Sequence, residues 1–291
     1  MNPTLAARAP AKVNLGLRIL GRRPDGYHEL SSLFAPLDFG DELTLRLREE
    51  RAPLVTLRDG GGPFEAPTEG NLAVQAAEAF LAEARPGLSV EIELAKHVPL
   101  AAGLGGGSSD AGTVLRTLAR QAPGVISEAR LAAIALSLGA DVPFFLDPKP
   151  AWVGGIGEQI EPCKRIPPLC LLLVNPGVPL PTAEVFAAFD ALGPQPVAPR
   201  PTDLKRALAD PEGLAALLHN DLEQAALRLR PELRRLREAL ASWGAQAVGM
   251  SGSGPTLFGV FESSGEAEEA RARGALGEGI WSRVARTPEA G

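Results

Sequence analysis

The chain of 291 residues has few cysteines, few aromatic residues and no excess of positive charge. Its two cysteines, Cys163 and Cys170, are too few for a disulfide framework and lack the spacing of paired metal ligands. Aromatic residues make up 5% of the chain, which argues against stacking platforms for single-stranded nucleic acid. The net charge of −6 argues against a protein that coats DNA or RNA, because such proteins need a basic face.

Long apolar segments are also missing. The longest apolar run in a strand-like segment, Leu169 to Val174, is far shorter than the roughly 18 to 20 residues that cross a bilayer. Residues 1–15 lack the apolar stretch of a secretion signal. We therefore expect a cytoplasmic protein that binds neither nucleic acid nor a membrane. The length and the hydrophobic content of 45% indicate about two globular domains.

Strand patterns cluster near the two ends of the chain, and helical patterns lie between them. Several segments alternate between apolar and other side chains, with the period of two that is typical of a half-buried strand. The expected strands cover residues 13–19, 41–47, 88–94, 152–153, 169–174, 246–250 and 256–261. The expected helices cover residues 71–84, 127–138 and 202–242, together with one that opens at Ser108. This order favours an α+β fold without strict βαβ alternation.

The strongest local signal for chemistry is a glycine-rich loop. Residues 103–107 read Gly-Leu-Gly-Gly-Gly, and Ser108 and Ser109 then open a helix. Glycine lets a backbone approach a ligand closely, and the unpaired N–H groups of a helix N-terminus attract phosphate. The loop is neither a Walker A loop nor a dinucleotide fingerprint, since it lacks the Gly-Lys-Ser/Thr ending and the third glycine. We interpret it as a phosphate site; the alternative is a flexible turn before a well-capped helix.

Four other segments carry weaker signals. Lys12 and Asn14 interrupt an apolar strand pattern, and alone they are typical of solvated polar residues. Asp141 stands among apolar neighbours, as either a turn aspartate or a base whose burial a cation offsets. Residues 249–255 form either a hairpin turn or a ligand loop. His28, with no second histidine nearby, does not indicate a metal site.

Together these segments resemble the GHMP kinase superfamily. That superfamily has a lysine-bearing N-terminal strand, a central Pro-x-x-x-Gly-Leu-Gly-x-x-Ser-Ser loop and a C-terminal Gly-Ser-Gly loop, which residues 10–15, 99–109 and 252–254 resemble in order. Residues 23–30 and 139–143, and Asn175-Pro176-Gly177 with Thr182, further resemble one branch of it. Members of that branch phosphorylate the 2-hydroxyl of a cytidine diphosphate conjugate in the non-mevalonate route to isoprenoid precursors.

The resemblance implies a two-domain GHMP kinase fold with the active site between the domains. Residues 1–155 would form an N-terminal domain that resembles the ribosomal protein S5 domain 2-like fold, and residues 156–291 a C-terminal α/β domain. ATP would be the co-substrate and Mg²⁺ the cofactor. The partner would be a small molecule, the cytidine diphosphate conjugate, and the protein a monomer or weak homodimer.

The resemblance also implies roles for individual residues. Asp141 would accept the proton of the attacking hydroxyl, and Lys12 would keep Asp141 ionised and support the charge on the transferring group. The substrate would be bound by Asn14, Tyr27, His28, Thr182 and Phe186. The ATP phosphates would be bound by Pro99, Leu100, Ala101, Ala102, Gly103, Leu104, Gly105, Gly106, Gly107, Ser108 and Ser109. The sequence assigns no metal ligand, although Ser109 is a candidate.

One departure from the branch bears on the loop, and two other functions stay open. Ala101 and Ala102 stand where the branch usually has two glycines, so we expect a stiffer front to the loop. One alternative is a kinase for another small alcohol, such as mevalonate or homoserine, which would have no nucleobase for Tyr27 and His28 to recognise. The other is a non-catalytic nucleotide sensor, which would have no need of a proton acceptor.

Overall fold

The computed structural model describes residues 3–50, 54–84, 87–163, 166–193, 207–208, 211–274 and 276–288. The chain divides into two compact units, and each unit is assembled from three segments. The first unit comprises Met1–Ala11, Phe39–Leu100 and Gly105–Pro148, and the second comprises Lys12–Asp38, Ala101–Leu104 and Lys149–Gly291. The domain bounds expected from the sequence, residues 1–155 and 156–291, remain a prediction.

Strands and α-helices both occur in the described residues, so the expected α+β class is confirmed. The strands are β1 (Thr4–Arg22), β2 (His28–Glu49), β3 (Val55–Asp59), β4 (Leu88–Ala95), β5 (Ala151–Gly155), β6 (Gln159–Pro162), β7 (Cys170–Asn175), β8 (Ala247–Met250), β9 (Leu257–Phe261) and β10 (Trp281–Arg286). The α-helices are α1 (Leu72–Ala84), α2 (Gly106–Gln121), α3 (Glu128–Leu138), α4 (Thr182–Asp190), α5 (Pro211–Leu217), α6 (Glu223–Leu229), α7 (Glu232–Ser242) and α8 (Ser264–Arg273), and a short 3-10 helix covers Pro143–Leu146.

The first unit is built on β4. The second half of β2 pairs antiparallel with β4, from Glu42 opposite Ala95 onward, and β3 pairs parallel with β4. Apolar side chains from these strands and from α1, α2 and α3 form one core that includes Ile92, Phe80 and Val114. Burial of large apolar side chains of this kind contributes about 1.5 to 3 kcal/mol each. This core holds β4 against α2, the helix that follows the glycine loop.

Helix α1 begins where the sequence predicted. The side-chain oxygen of Asn71 accepts a hydrogen bond from the backbone N–H of Ala73 at 2.9 Å, which satisfies one of the unpaired donors of the first turn. The helix then runs to Ala84 as expected. Helix α2 begins at Gly106, two residues before the expected start at Ser108. Gly106 and Gly107 are therefore the first residues of that helix rather than the end of the loop.

The second unit contains an antiparallel sheet with the strand order β10, β7, β9, β8. The first part of β2 also pairs antiparallel with β5 there, and β5 with β6. Apolar residues of the four-stranded sheet and of the helices form one core that includes Leu172, Leu257, Val185 and Leu233. The helical region expected over residues 202–242 contains α5, α6 and α7, while residues 202–206 and 209–210 lie outside the described residues.

Strand β1 differs from the half-buried strand that its alternation predicted. Lys12, Asn14 and Arg18 are only 3%, 2% and 2% exposed, although the strand pattern alone is typical of solvated side chains at Lys12 and Asn14. They are buried because each finds hydrogen-bond acceptors inside the unit: Arg18, for example, donates to the carbonyl oxygens of Leu217 and His219 at 3.4 and 3.1 Å. Burial lowers the pKa of Arg18, and the charge of Asp221 partly offsets this.

Two further findings concern the cysteines and the possibility of a membrane-spanning helix. Cys163 is half-buried and Cys170 is buried. Within the described residues, no helix combines the length and the apolar character needed to cross a membrane.

Candidate active site

In the second unit, the lysine-bearing strand contacts the front of the glycine loop. The ammonium of Lys12 donates hydrogen bonds to Asn14 Oδ1 at 2.5 Å and to the carbonyl oxygen of Gly103 at 3.3 Å. The backbone N–H of Lys12 donates to the carbonyl oxygen of Leu104 at 2.9 Å. The ammonium also lies 4.7 Å from the centre of the Phe34 ring, a cation–π arrangement. The side chain of Lys12 is thus held in one position by neutral groups from three segments.

The C-terminal Gly-Ser-Gly loop packs against the same place. Ser251 Oγ donates to the carbonyl oxygen of Gly103 at 2.8 Å and accepts the backbone N–H of Asn14 at 3.2 Å. A Cβ atom at position 103 would lie 2.3 Å from the carbonyl oxygen of Ser251, and Gly103 has a φ of +73°. Only glycine fits both the backbone conformation and this close approach. The three segments that carry the motifs therefore meet around Lys12, Gly103 and Ser251.

Two side chains that the sequence did not single out hold this arrangement. Asn220 donates from Nδ2 to the carbonyl oxygens of Met250 and Gly252 at 2.9 and 2.8 Å, so it fixes the C-terminal loop. Ser32 accepts from Asn14 Nδ2 at 2.9 Å and donates to the carbonyl oxygen of Gly16 at 2.6 Å. Neither Asn220 nor Ser32 belongs to a recognisable motif, so no local signal could have identified them.

The front of the glycine loop carries backbone strain. Ala101 has a φ of +49°, in the left-handed region that favours glycine. A residue with a Cβ atom costs about 1 to 2 kcal/mol there relative to glycine. Ala101 therefore adopts a backbone conformation that favours glycine.

Candidate residues for substrate binding also lie in the second unit. The ring of His28 stacks on that of Phe186, with centroids 4.8 Å apart and planes 25° from parallel. His28 Nε2 lies 2.7 Å from Asp190 Oδ1. Because a carboxylate only accepts hydrogen bonds, Nε2 carries the proton in this contact. Tyr27, the neighbour of His28, is 62% exposed and follows the predicted turn, where its N–H donates to Asp25 Oδ1 at 3.1 Å.

Thr182, another candidate for substrate binding, is the first residue of α4. Its hydroxyl lies 2.9 Å from the hydroxyl of Ser253, in the C-terminal Gly-Ser-Gly loop. The structure therefore brings Thr182 to the same loop that contacts Lys12 and Asn14. It brings His28 to Phe186 as well.

In the first unit, the back of the glycine loop forms the N-terminus of α2. Gly105 precedes the helix with a φ of +71° and makes no capping side-chain hydrogen bond. The N–H groups of the first turn are consequently available to an anion. Gly107 is exposed, and a Cβ atom there would have no heavy atom nearer than Leu72 Cδ1 at 3.8 Å among the described residues. The outer surface of this turn is open.

The candidate metal ligand, Ser109, is fully buried. Its hydroxyl donates to the carbonyl oxygen of Pro10 at 2.7 Å, which directs it into the unit. Ser109 in this position does not fit the role of a metal ligand. Within the described part of the chain, no group of three or more histidine, cysteine, aspartate or glutamate side chains is placed to hold a metal ion.

Asp141 is half-buried and lies between α3 and the 3-10 helix, also in the first unit. The segment that follows it packs on α2: a Cβ atom at Gly112 would lie 2.5 Å from Phe145 Cβ. Arg116 of the same helix donates to the carbonyl oxygen of Phe145 at 3.2 Å. Helix α2 thus supports both the open glycine turn and the segment after Asp141. The pairing of Asp141 with Lys12 remains a prediction.

A buried charged cluster lies behind the glycine turn, and the sequence did not reveal it. Lys96 Nζ donates to Asp41 Oδ2 and, at 2.8 Å, to Asp110 Oδ2. Burial raises the pKa of Asp110 to about 8, although Lys96 opposes this shift. Burial lowers the pKa of Lys96, but Asp110 and Asp41 together outweigh it and raise this pKa overall. We define Asp41, Lys96 and Asp110 as the carboxylate–lysine cluster.

Two family models match the chain: "GHMP kinases N terminal domain" over residues 71–147 and "GHMP kinases C terminal" over residues 204–275. A 4-diphosphocytidyl-2-C-methyl-D-erythritol kinase of Citrifermentans bemidjiense is 40% identical over 279 residues, which are 96% of this chain and 97% of that protein. The chain belongs to the 4-diphosphocytidyl-2-C-methyl-D-erythritol kinase family. The resemblance drawn from the motifs is thereby confirmed, as is the two-domain GHMP kinase fold.

Solved structures agree with this family. A crystal structure of a 4-(cytidine 5'-diphospho)-2C-methyl-D-erythritol kinase is 38% identical, superposes with a TM-score of 0.79 and covers 98% of this chain and 100% of that one. A homoserine kinase from Cytophaga hutchinsonii has a TM-score of 0.70 over 98% of this chain and 95% of that one, but at 19% identity it shows the fold alone. Members of the GHMP kinase family use ATP, so the expected co-substrate is supported. Neither the sensor nor the kinase for another alcohol is supported.

Proposed function

We propose that this chain transfers the γ-phosphoryl group of ATP to the 2-hydroxyl of 4-diphosphocytidyl-2-C-methyl-D-erythritol. The observation that carries the proposal is the meeting of the three motif segments at Lys12, Gly103 and Ser251. It occurs in a chain that is 40% identical, over nearly its whole length, to a relative with that name.

In the proposed reaction, the oxygen of the 2-hydroxyl forms a bond to the γ-phosphorus, and the bond from that phosphorus to the β–γ bridging oxygen breaks. Asp141 accepts the proton of the hydroxyl, and ADP leaves. Lys12 supports the negative charge that spreads over the transferring group. Phosphoryl transfer demands mainly positioning and charge stabilisation from a protein. The fixed ammonium of Lys12 supports this role, because its hydrogen bonds to Asn14 and Gly103 hold it before any substrate binds.

The N–H groups at the start of α2 bind the ATP phosphates in this proposal. The absence of a capping side chain at Gly105 and the open space outside Gly107 support that assignment. Because the hydroxyl of Ser109 points inward to the carbonyl oxygen of Pro10, Mg²⁺ would be held by the phosphate oxygens of ATP rather than by this side chain. The ion would supply positive charge to the phosphates.

The cytosine ring of the substrate is bound, in this proposal, by Tyr27, His28 and Phe186. The stacked pair of His28 and Phe186 offers an aromatic surface, and Asp190 orients the imidazole. Asn14 and Thr182 face the alcohol end of the substrate. Their attachment to the C-terminal loop through Ser251 and Ser253 supports a position beside Lys12.

Product identification tests the proposal. The purified chain is incubated with ATP, Mg²⁺ and the cytidine diphosphate conjugate, ADP is quantified, and the product is examined by ³¹P NMR and mass spectrometry. We expect one ADP for each conjugate consumed and a new phosphate ester on the oxygen of the tertiary carbon. Release of ADP without a new ester, or an ester on a different hydroxyl, would contradict the proposed reaction.

A further inference from the structure

The carboxylate–lysine cluster occupies a fixed place at the end of β4. Lys96 directly follows that strand, and its carbonyl oxygen accepts the backbone N–H of Phe64 at 3.2 Å. Asp41 Oδ1 accepts the backbone N–H groups of His97 and Val98 at 2.6 and 2.8 Å. The main chain of Lys96 and of the two residues after it is therefore held by hydrogen bonds. The Lys96 ammonium is therefore attached to a segment of backbone whose position is fixed.

That ammonium lies directly against the first residue of α2. A Cβ atom at Gly106 would be 3.3 Å from Lys96 Nζ and 3.1 Å from Val98 Cγ1. Asp110, which accepts from the same ammonium at 2.8 Å, is one helical turn further along α2. Lys96 thus connects the end of β4 to the turn of α2 that carries Gly106 and Gly107.

Burial of the three ionisable side chains of the cluster is unfavourable in free energy. The side chains of Lys96, Asp41 and Asp110 are 2%, 0% and 3% exposed. Asp110 Oδ1 has no hydrogen-bond partner among the described residues. Apolar side chains of similar volume often give a fold equal or greater stability than a buried ion cluster does. An apolar contact can slide, however, whereas an ammonium that donates hydrogen bonds to two fixed carboxyl groups has one favourable geometry.

We propose that Asp41, Lys96 and Asp110 form a positioning cluster that holds the phosphate-binding turn of α2 in the geometry that nucleotide requires. The inference rests on the proposed function, because it assumes that this turn binds the phosphates of ATP. None of the three side chains needs to touch the nucleotide. The cluster acts by fixing the N-terminus of α2 relative to β4. Loosening it should weaken nucleotide binding and leave recognition of the alcohol largely unchanged.

The test compares variants of Asp110 with a matched control on the same helix. Asp110→Ala removes the link between Lys96 and α2 but leaves Lys96 its ion pair with Asp41, so the charge stays compensated. Asp110→Asn retains a side-chain oxygen that accepts from Lys96. Thr113→Ala, the control, removes a buried side chain three residues along the helix, whose hydroxyl makes no hydrogen bond among the described residues.

The principal measurement is the Kd for Mg·ADP by isothermal titration calorimetry, which requires no turnover. We expect Asp110→Ala to raise this Kd about 5- to 30-fold, because the loosened turn must be ordered when the nucleotide binds. Asp110→Asn should restore most of the affinity, and Thr113→Ala should change the Kd less than about twofold. The KM for the alcohol substrate should change less than about twofold in all three variants.

Three results would overturn the inference: an unchanged Kd in Asp110→Ala, an equal rise in Thr113→Ala, or an equal rise in the KM for the alcohol. If Asp110→Ala does not fold, Asp110→Leu decides, because it fills the space of the carboxyl group but cannot accept a hydrogen bond from Lys96; unchanged Mg·ADP affinity in that variant would likewise overturn the inference. A wild-type chain that binds Mg·ADP but does not phosphorylate the conjugate would contradict the proposed function and leave this comparison intact.

Discussion

The hydroxyl of Ser251 donates a hydrogen bond to the carbonyl oxygen of Gly103 across 2.8 Å, although the two residues are 148 positions apart in the sequence. The same hydroxyl accepts the backbone N–H of Asn14, which is 237 positions away. One buried hydroxyl therefore connects the C-terminal loop, the front of the glycine loop and the lysine-bearing strand. These are the three segments in which the motifs of the GHMP kinases lie.

We expect Ser251→Ala to destabilise the protein and to lower its activity. The substitution leaves the buried N–H of Asn14 without this acceptor, which should reduce the free energy of unfolding by about 1 to 3 kcal/mol. Urea denaturation measures the change. Ser242→Ala is the control, because among the described residues that hydroxyl bonds only to the carbonyl oxygen of Ala239 in its own exposed helix turn, and its effect should stay within about 0.5 kcal/mol. Equal stability of the two variants would argue against the linking role of Ser251.

Gly107→Val should weaken ATP binding and leave the fold intact. Its side chain would point from the first turn of α2 into open space, where the phosphates are proposed to bind. We expect the KM for ATP to rise about 10-fold or more, a change of at least about 1.4 kcal/mol. Gly106→Val would not be as clear a test, because the new side chain would press on Val98 and Lys96.

Gly112→Ala, on the same helix, is a control with the reverse expectation: it should lower stability and leave ATP binding unchanged. Its Cβ atom would lie 2.5 Å from Phe145 Cβ, so the substitution should cost about 1 to 3 kcal/mol of stability. The KM for ATP of the folded variant should change little. If Gly107→Val binds ATP as wild type does while remaining folded, the phosphates do not bind at this turn.

His28→Ala should raise the KM for the cytidine conjugate much more than the KM for ATP. Loss of hydrogen bonds to a buried base costs about 1 to 3 kcal/mol, or roughly 5- to 150-fold in affinity. His219→Ala is a matched control, since His219 Nε2 also lies 2.7 Å from an aspartate oxygen, that of Asp221. Steady-state kinetics with each substrate varied in turn gives the comparison. A similar KM for the conjugate in both variants would remove His28 from the substrate site.

Asp141→Asn should lower kcat about 10²- to 10⁴-fold and nearly preserve substrate binding, because the amide keeps the size of the side chain but cannot accept the proton. Lys12→Met should also lower kcat. If the two residues act as one unit, the double variant should lose less than the product of the two single losses. Near-wild-type turnover of Asp141→Asn would exclude Asp141 as the proton acceptor, and strictly multiplicative losses would show that the two residues act independently.

Sequence patterns predicted the strands and helices that are marked within a short stretch of the chain, by alternation or by a capping residue. The alternation over residues 41–47 and 88–94 corresponds to the antiparallel pairing of β2 with β4, and the cap at Asn71 starts α1. In contrast, β1 and β2 extend over 19 and 22 residues, far beyond the alternating segments. Alternation marks a strand that is exposed on one face, whereas the middle of β1 is buried on both.

The residues of the candidate site likewise include some that a local sequence pattern reveals and some that it does not. Lys12, the glycine loop and the Gly-Ser-Gly loop carry patterns that can be recognised in the sequence. The burial of Lys12 could not be predicted, because the groups that compensate it, such as the carbonyl oxygen of Gly103, come from distant segments. The cluster of Lys96 and Asp110 was missed for a similar reason: its third member, Asp41, is 55 positions from Lys96 and resembles an ordinary surface carboxylate in the sequence.

A comparison of substrates under identical conditions tests which alcohol the chain phosphorylates. The kcat/KM of the wild-type chain with saturating Mg·ATP is measured for the cytidine diphosphate conjugate, for the free branched alcohol, for mevalonate and for homoserine. We predict efficient turnover of the conjugate and a loss of about 10²-fold or more for each alcohol that lacks cytidine, since these leave the nucleobase contacts unmade. Equal turnover of the free alcohol and the conjugate, or preference for mevalonate or homoserine, would contradict the proposed function.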